Sequence, residues 1–204
     1  MHNNNEKPKI ILASQSYIRR QLMDNALVDY IAINSGVDEE MAKLSLRQEG
    51  VAPKDQAHEL AKLKAQKLSQ KHPNDFVIGA DQMLCLGNEV FDKAQSMDEA
   101  RQRLQYFRGK THYLQNAVVI YRNSQLIWRL DTAPKLKMRD FSDEFLDHYL
   151  EQSGDKILSS VGCYQLEGMG LQLFEKIEGD YFAILGLPMI ETLSFLRQHD
   201  MVKA

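Results

Sequence analysis

A change of hydrophobic period near the start of the chain sets the strongest constraint on how it folds. Residues 10–13, Ile-Ile-Leu-Ala, have the length and β-branched content of a strand. From Ile18 the apolar positions Ile18, Leu22, Ala26 and Leu27 follow helical spacing, so a strand passes into a helix through Ser14-Gln15-Ser16. A helix N-terminus carries unpaired N–H groups and partial positive charge, which favour anions. Ser14 and Ser16 with Arg19 and Arg20 would complete a phosphate cradle, since guanidinium offers planar forks to phosphate oxygens. An ordinary serine N-cap followed by two solvated arginines would give the same pattern.

The charge balance decides which phosphate ligands fit. With 204 residues and a formal net charge of −3, the chain lacks the basic field of a nucleic-acid binder. A local cluster of Arg and Lys in a mildly acidic protein suits a small polyanion better. Cys85 and Cys163 form no CxxC and imply no disulfide framework, as expected in a reducing cytoplasm. The six histidines show no zinc-ligand spacing. Residues 1–9 are polar rather than signal-like, and no apolar run reaches membrane-spanning length. A cytoplasmic protein with neither membrane nor nucleic acid as partner is expected.

Further along, 30–34 alternates like a short strand and 55–71 is helical, with Ala57, Leu60, Ala61, Ala65 and Leu68 on one stripe. Residues 76–80 form a compact strand running into Asp81, 83–86 continue it, and Gly87-Asn88 turns it back through 89–91. Ser96-Met97-Asp98-Glu99 has the form of a capping box opening a helix that Gly109 ends. A second hairpin joins 117–121 to 126–130, and 142–152 is helical. Residues 171–177 and 181–185 read as strands, and Pro188 starts a final helix. Hairpins mixed with helices predict an α/β fold with a mixed sheet rather than a strictly alternating parallel one.

Two residues break the local pattern. Lys64 falls inside the apolar stripe of the 55–71 helix, so its ammonium must snorkel out or meet negative charge. Asp81 ends an apolar strand just after Gly79-Ala80, where the small residues leave room for a close approach. A carboxylate there could coordinate a metal, act as a general base, or simply cap a turn. Glu39, in an acidic loop, and Lys93, beyond the first hairpin, are unremarkable singly. Taken together, Arg19, Arg20, Lys64 and Lys93 with Glu39 and Asp81 suit a metal–polyphosphate site. No P-loop or kinase signature is present.

At these residues the chain resembles the Maf family of nucleoside triphosphate pyrophosphatases. That family opens with a strand and LASxSPRRxxLL, matched by Leu12-Ala13-Ser14-Gln15-Ser16-Tyr17-Ile18-Arg19-Arg20-Gln21-Leu22-Met23. Its DE segment is similar to Asp38-Glu39, its AxxKA helix to Ala61-Lys62-Leu63-Lys64-Ala65, and its GADT strand to Gly79-Ala80-Asp81-Gln82. The lysine of its KP pair falls on Lys93, and Gly109-Lys110-Thr111-His112 resembles GKTH. Gly162-Cys163-Tyr164-Gln165-Leu166-Glu167-Gly168 is similar to GAYGIQG, and Gly179-Asp180-Tyr181 with Gly186-Leu187-Pro188 completes the order. Tyr17-Ile18 depart from the family's Pro-Arg, so aligning on Leu22-Met23 puts Arg19 at the family's second arginine. Gln82 stands for Thr, Glu167 for Gln and Ser160 for Lys.

The resemblance implies one Maf-like domain over 1–204, with an elongated mixed sheet flanked by helices and two lobes around a central cleft. It implies hydrolysis of a nucleoside triphosphate, standard or modified, to the monophosphate and pyrophosphate. Asp81 would be the proton acceptor, and Ser14, Ser16, Arg19, Arg20, Lys64 and Lys93 would bind substrate phosphates. A divalent cation, Mg or Mn, would sit on Glu39 and Glu167, and the protein would be a homodimer. The competing reading is a non-catalytic nucleotide-binding or protein-interaction module in cell-division control.

Overall fold

The computed structural model describes residues 7–203; residues 1–6, part of the polar segment read as lacking a signal, lie outside the described residues. By internal contacts the chain forms two compact units. Of the described residues, the first contains 7–82, Asn116–Thr132 and 180–203; the second contains Met83–Gln115 and Ala133–Gly179.

In the first unit, β1 (Ile10–Leu12) leads to helix α1 (Tyr17–Asn25), the short strand β2 (Ile31–Ala32), and helices α2 (Glu39–Gln48) and α3 (Pro53–Ser69). Strand β3 (Phe76–Leu86) follows and runs on into the second unit, where β4 (Glu89–Phe91) pairs back on it across the Gly87 turn. The second unit continues with α4 (Met97–Phe107) and the first half of β5 (Thr111–Arg122). Strand β6 (Gln125–Thr132) returns along β5 in the first unit. The second unit is completed by β7 (Lys135–Met138), α5 (Asp143–Ser153) and β8 (Phe174–Glu178). The one-turn helix α6 (Tyr181–Ile184) and helix α7 (Met189–Gln198) close the first.

Hydrogen-bonded neighbours follow the order β2-β1-β3-β5-β7-β8, with β4 added on β3 and β6 on β5. The β2–β1 and β1–β3 pairs are parallel, whereas the β3–β4, β5–β6, β5–β7 and β7–β8 pairs are antiparallel. This is the mixed α/β sheet that the alternation of hairpins and helices predicted.

Side-chain alternation along β3 explains how the first unit packs and where its chemistry sits. Ile78 and Ala80 join Ile10, Leu12, Val118 and Ile120 in a core with α1 and α7 residues Leu22, Met23, Phe195 and Leu196. Residues two apart share a strand face, so Val77, Gly79 and Asp81 face the opposite way. That side is covered by α3. A Cβ built on Gly79 would lie 2.2 Å from the Ala61 carbonyl oxygen and 2.8 Å from the Ala65 Cβ. The space left by Gly79-Ala80 is therefore taken by a helix, and the close approach brings Lys64 of α3 beside Asp81.

Two local readings need correction, and two elements went unread. Residues 181–185 form α6 rather than a strand, because the Asp180 carboxylate caps the turn by accepting from Ala183 N–H at 2.6 Å. Only the second half of 171–177 is strand; Met169–Leu173 is a 3-10 turn. Helix α2 was not anticipated; none of its residues is fully buried, and its partly buried face is Glu39, Ala42, Lys43 and Leu46 at helical spacing. Strand β7 shows period-2 burial at Leu136 and Met138 but is only four residues long.

Candidate active site

Helix α3 buries Lys64 at 5 % exposure. Its ammonium meets two carboxylates, lying 2.7 Å from Asp81 Oδ1 and 2.8 Å from Glu39 Oε2. Asp81 arrives from the end of the apolar run of β3 and is itself 6 % exposed. Glu39 comes from the first turn of α2, which begins where the Asp38 carboxylate accepts from Met41 N–H at 3.0 Å. The loop before α2 is anchored by Lys67, whose ammonium donates to the Gly36 carbonyl. Gly36 has φ +63°, in the region glycine adopts without strain. One cation thus serves two acidic groups from separate elements, so Lys64 faces inward and does not snorkel.

The serine loop is built as a helix start. The Ala13 N–H donates to the Ile78 carbonyl at 2.8 Å, which ties the loop to β3. Ser16 caps α1 by accepting from Arg19 N–H at 3.4 Å, and its own N–H donates to Ser14 Oγ at 3.2 Å. The two arginines part company here. Arg19 is buried: its Nε donates to the Gly186 carbonyl at 2.8 Å, and its Nη1 to the Ala80 carbonyl at 2.9 Å and Ser14 Oγ at 3.3 Å. Burial draws the guanidinium below its usual pKa, while the carboxylates of Asp81 and Glu39 oppose the shift. Arg20 turns outward into a surface depression shared with Tyr17, Gln21, Asp24 and Tyr30, and its Nε is buried without a hydrogen-bond partner.

Of the sequence-predicted residues, Ser14, Ser16, Arg19, Glu39, Lys64 and Asp81 are joined by direct contacts or by one loop of the first unit. Lys93 and Glu167 belong to the second unit, where both side chains are exposed. Two polar residues were missed as a pair. Gln82 Nε2 lies 2.7 Å from Asn116 Oδ1, 3.2 Å from the Ala183 carbonyl and 3.0 Å from the Ile184 carbonyl. Asn116 Nδ2 donates to the same Ala183 carbonyl at 2.9 Å. The one sequence hint was Gln82 itself, a long amide directly after Asp81.

The donor set can be tested against a divalent cation. No group of three or more His, Cys, Asp or Glu side chains able to hold a metal exists among the described residues. Glu39 and Asp81 are hard oxygen donors already paired to one lysine. That set suits Mg, which keeps several waters and relies on one or two carboxylates plus substrate phosphates, rather than an all-protein cage. Among the described residues, no helix is long and apolar enough to cross a membrane.

A mixed α/β fold with a buried Lys–carboxylate cluster beside a serine-capped helix defines a protein built to handle a small anionic substrate. The match to known sequences narrows this: the family model described as Maf-like protein covers residues 9–199, and the chain belongs to that family. It is 53% identical over 190 residues to a nucleoside triphosphate pyrophosphatase of Caulobacter vibrioides, covering 93% of this chain and 95% of the relative. A nucleoside triphosphate pyrophosphatase of Granulibacter bethesdensis is 48% identical over 192 residues, 94% of this chain and 98% of the relative. A 7-methyl-GTP pyrophosphatase of Brucella suis biovar 1 is 44% identical over 194 residues, with 95% and 98% covered.

Proposed function

We propose that this protein is a nucleoside triphosphate pyrophosphatase, releasing pyrophosphate and the nucleoside monophosphate. The observation that carries the reading is the buried Lys64 ammonium bridging Asp81 and Glu39 at 2.7 and 2.8 Å. In this assignment Asp81 accepts a proton from the water that attacks the α-phosphorus. The α–β bridging oxygen leaves with the pyrophosphate. Lys64 turns the Asp81 carboxylate to one orientation and offsets charge building on the phosphoryl oxygens. Ser14, Ser16, Arg20 and Lys93 bind phosphate oxygens, and Arg19 adds its positive charge from beneath the serine loop.

Pyrophosphatases of this family are generally divalent-cation dependent. Lys64 and Arg19 are already matched in formal charge by Asp81 and Glu39, so a triphosphate arriving here needs further positive charge. Glu39 is the residue of the first unit that would hold Mg or Mn; Glu167, in the second unit, is a metal candidate by the family resemblance alone. When bound, the cation would neutralise phosphate oxygens and sharpen the electrophile. The same proposal includes a single Maf-like domain over 1–204, a homodimer, and a cytoplasmic location. The last is supported by Cys85 and Cys163, which are buried free thiols.

The test is product analysis with the full chain and Mg or Mn across canonical and modified nucleoside triphosphates, 7-methyl-GTP included. Stoichiometric pyrophosphate and monophosphate are expected. Orthophosphate with a diphosphate would move the attack to another phosphorus. Nucleotide binding with no turnover on any substrate would favour the non-catalytic module.

A further inference from the structure

We infer that Arg19 and Gln82 are positioning residues that brace the turn Ala183–Gly186 against β3 and thereby fix the strand end carrying Asp81. The inference rests on the assignment of Asp81 as the proton acceptor.

Strand parity sets up the arrangement. Asp81 faces α3, so the residues on either side of it, Ala80 and Gln82, face the other way. The turn from α6 to Gly186 lies on that opposite face. Helix α6 is a single turn, and carbonyls at a helix C-terminus lack intrahelical donors. Three side chains supply them. The Gln82 amide reaches the Ala183 and Ile184 carbonyls, Asn116 adds a second donor to Ala183, and Arg19 Nε reaches the Gly186 carbonyl. Arg19 also holds the carbonyl of Ala80, the residue just before Asp81. The backbone on both sides of Asp81 is thus tied to one short turn, by Arg19 on one side and Gln82 on the other.

The local chemistry fits this role. A buried guanidinium is costly unless its donors are used, and here two go to carbonyls fixed in the frame. A lysine could keep the charge but not bridge two carbonyls with a planar fork. Gly186 has φ +95°, and a Cβ there would stand 3.4 Å from the Arg19 Nε and Nη2 atoms, so a small residue lets the guanidinium close on the turn. Gln82 has the reach to donate where a shorter side chain on β3 would fall short.

A brace differs from a substrate contact in what its loss changes. A displacement of about 1 Å at the reacting group costs about 10²-fold in rate, whereas losing a phosphate contact raises KM. The experiment compares Arg19→Lys, Gln82→Met and the double variant in steady-state pyrophosphate release with the metal present. Hydrogen exchange over residues 181–187 is followed in parallel. Each single variant is expected to lower kcat by about 10²-fold while KM stays within about threefold, with faster exchange over 181–187. The double variant should lose little more than the worse single, because both anchor one unit. A raised KM with kcat preserved, or exchange unchanged in both single variants, overturns the brace. Should Arg19→Lys fail to fold, Gln82→Met decides alone. Asp81→Asn serves as the control: wild-type turnover in it removes the proton-acceptor assignment, while exchange over 181–187 in Gln82→Met still decides whether the brace exists.

Discussion

Each compact unit buries polar groups, and one cluster from each shows two opposite ways of doing so. In the first unit Lys64, Asp81 and Arg19 are nearly inaccessible and carry formal charge, with one ammonium divided between two carboxylates. In the second unit His112 and Tyr164 are just as deeply placed, joined by a 2.8 Å hydrogen bond between Nε2 and the phenol. His112 stacks on Phe107 at 5.0 Å, and burial draws its imidazole down to about 4, so it is neutral near pH 7. The same burial pushes the Tyr164 phenol up, and the Tyr149 phenol donates to the Cys163 carbonyl at 3.0 Å. A neutral hydrogen-bonded pair adds rigidity at modest desolvation cost. A buried ion cluster is a poor route to stability, because desolvation consumes much of the Coulomb gain. Its presence in the first unit fits the catalytic role proposed for it, whereas the neutral pair in the second fits a packing role.

The largest effect that could break this contrast is on rate. Asp81→Asn keeps the size and shape of the side chain but removes the carboxylate proposed as proton acceptor, so turnover should fall by roughly 10²–10⁴-fold with little change in the unfolding transition. A purified variant that hydrolyses nucleotides at the wild-type rate across pH would return Asp81 to a structural role.

Lys64→Met comes next, because it strands Asp81 as a buried charge without its nearest partner. Breaking such a pair from one side costs about 3–5 kcal/mol, and denaturant unfolding should register it. Adding Asp81→Asn should restore most of that loss, since the stranded buried charge is removed and Glu39, the other carboxylate on Lys64, is partly exposed to water. If the double variant is no more stable than Lys64→Met, the ammonium contributes through packing of its stem and not through the pair.

The second unit predicts a smaller, pH-dependent effect. His112 has an ordinary value of 6.5 and a folded value of about 4, so between these pH values the unfolded chain binds the proton and the folded chain does not. Stability from this group is complete above about pH 6.5 and is lost as the pH falls towards 4, a change of about 3 kcal/mol. His112→Phe should flatten that part of the stability–pH curve, measured by thermal melts from pH 7 to 4. An unchanged slope would place the acid sensitivity on other groups.

Much of the site was legible because each residue contradicted its own surroundings. Lys64 on an apolar helical stripe and Asp81 at the end of an apolar strand are conflicts that a chain keeps only for a reason, and the structure joins them. Glu39 was visible only as part of an acidic loop, because the helix it opens has no fully buried residue and its start was read as loop. The adjacent Arg19 and Arg20 looked equivalent, yet helical geometry turns one into the core and the other towards solvent. The turn at 181–185 looked like a strand because its apolar run is short and lies between glycines, where period cannot separate the two structures.

Periodicity, capping residues and charge out of place are written in the order of the amino acids, because they depend on neighbours within a turn or two. From them the sequence by itself determined the mixed α/β class, the serine-capped first helix, the family and the two conflicted residues. Contacts across 17 positions, as between Lys64 and Asp81, or 167, as between Arg19 and Gly186, depend on which faces meet once strands and helices pack. Tertiary structure alone decided that Gly79 admits α3, that Glu39 shares the Lys64 ammonium, and that the C-terminal turn closes behind Asp81. Each of these is a long-range approach whose geometry no local preference encodes.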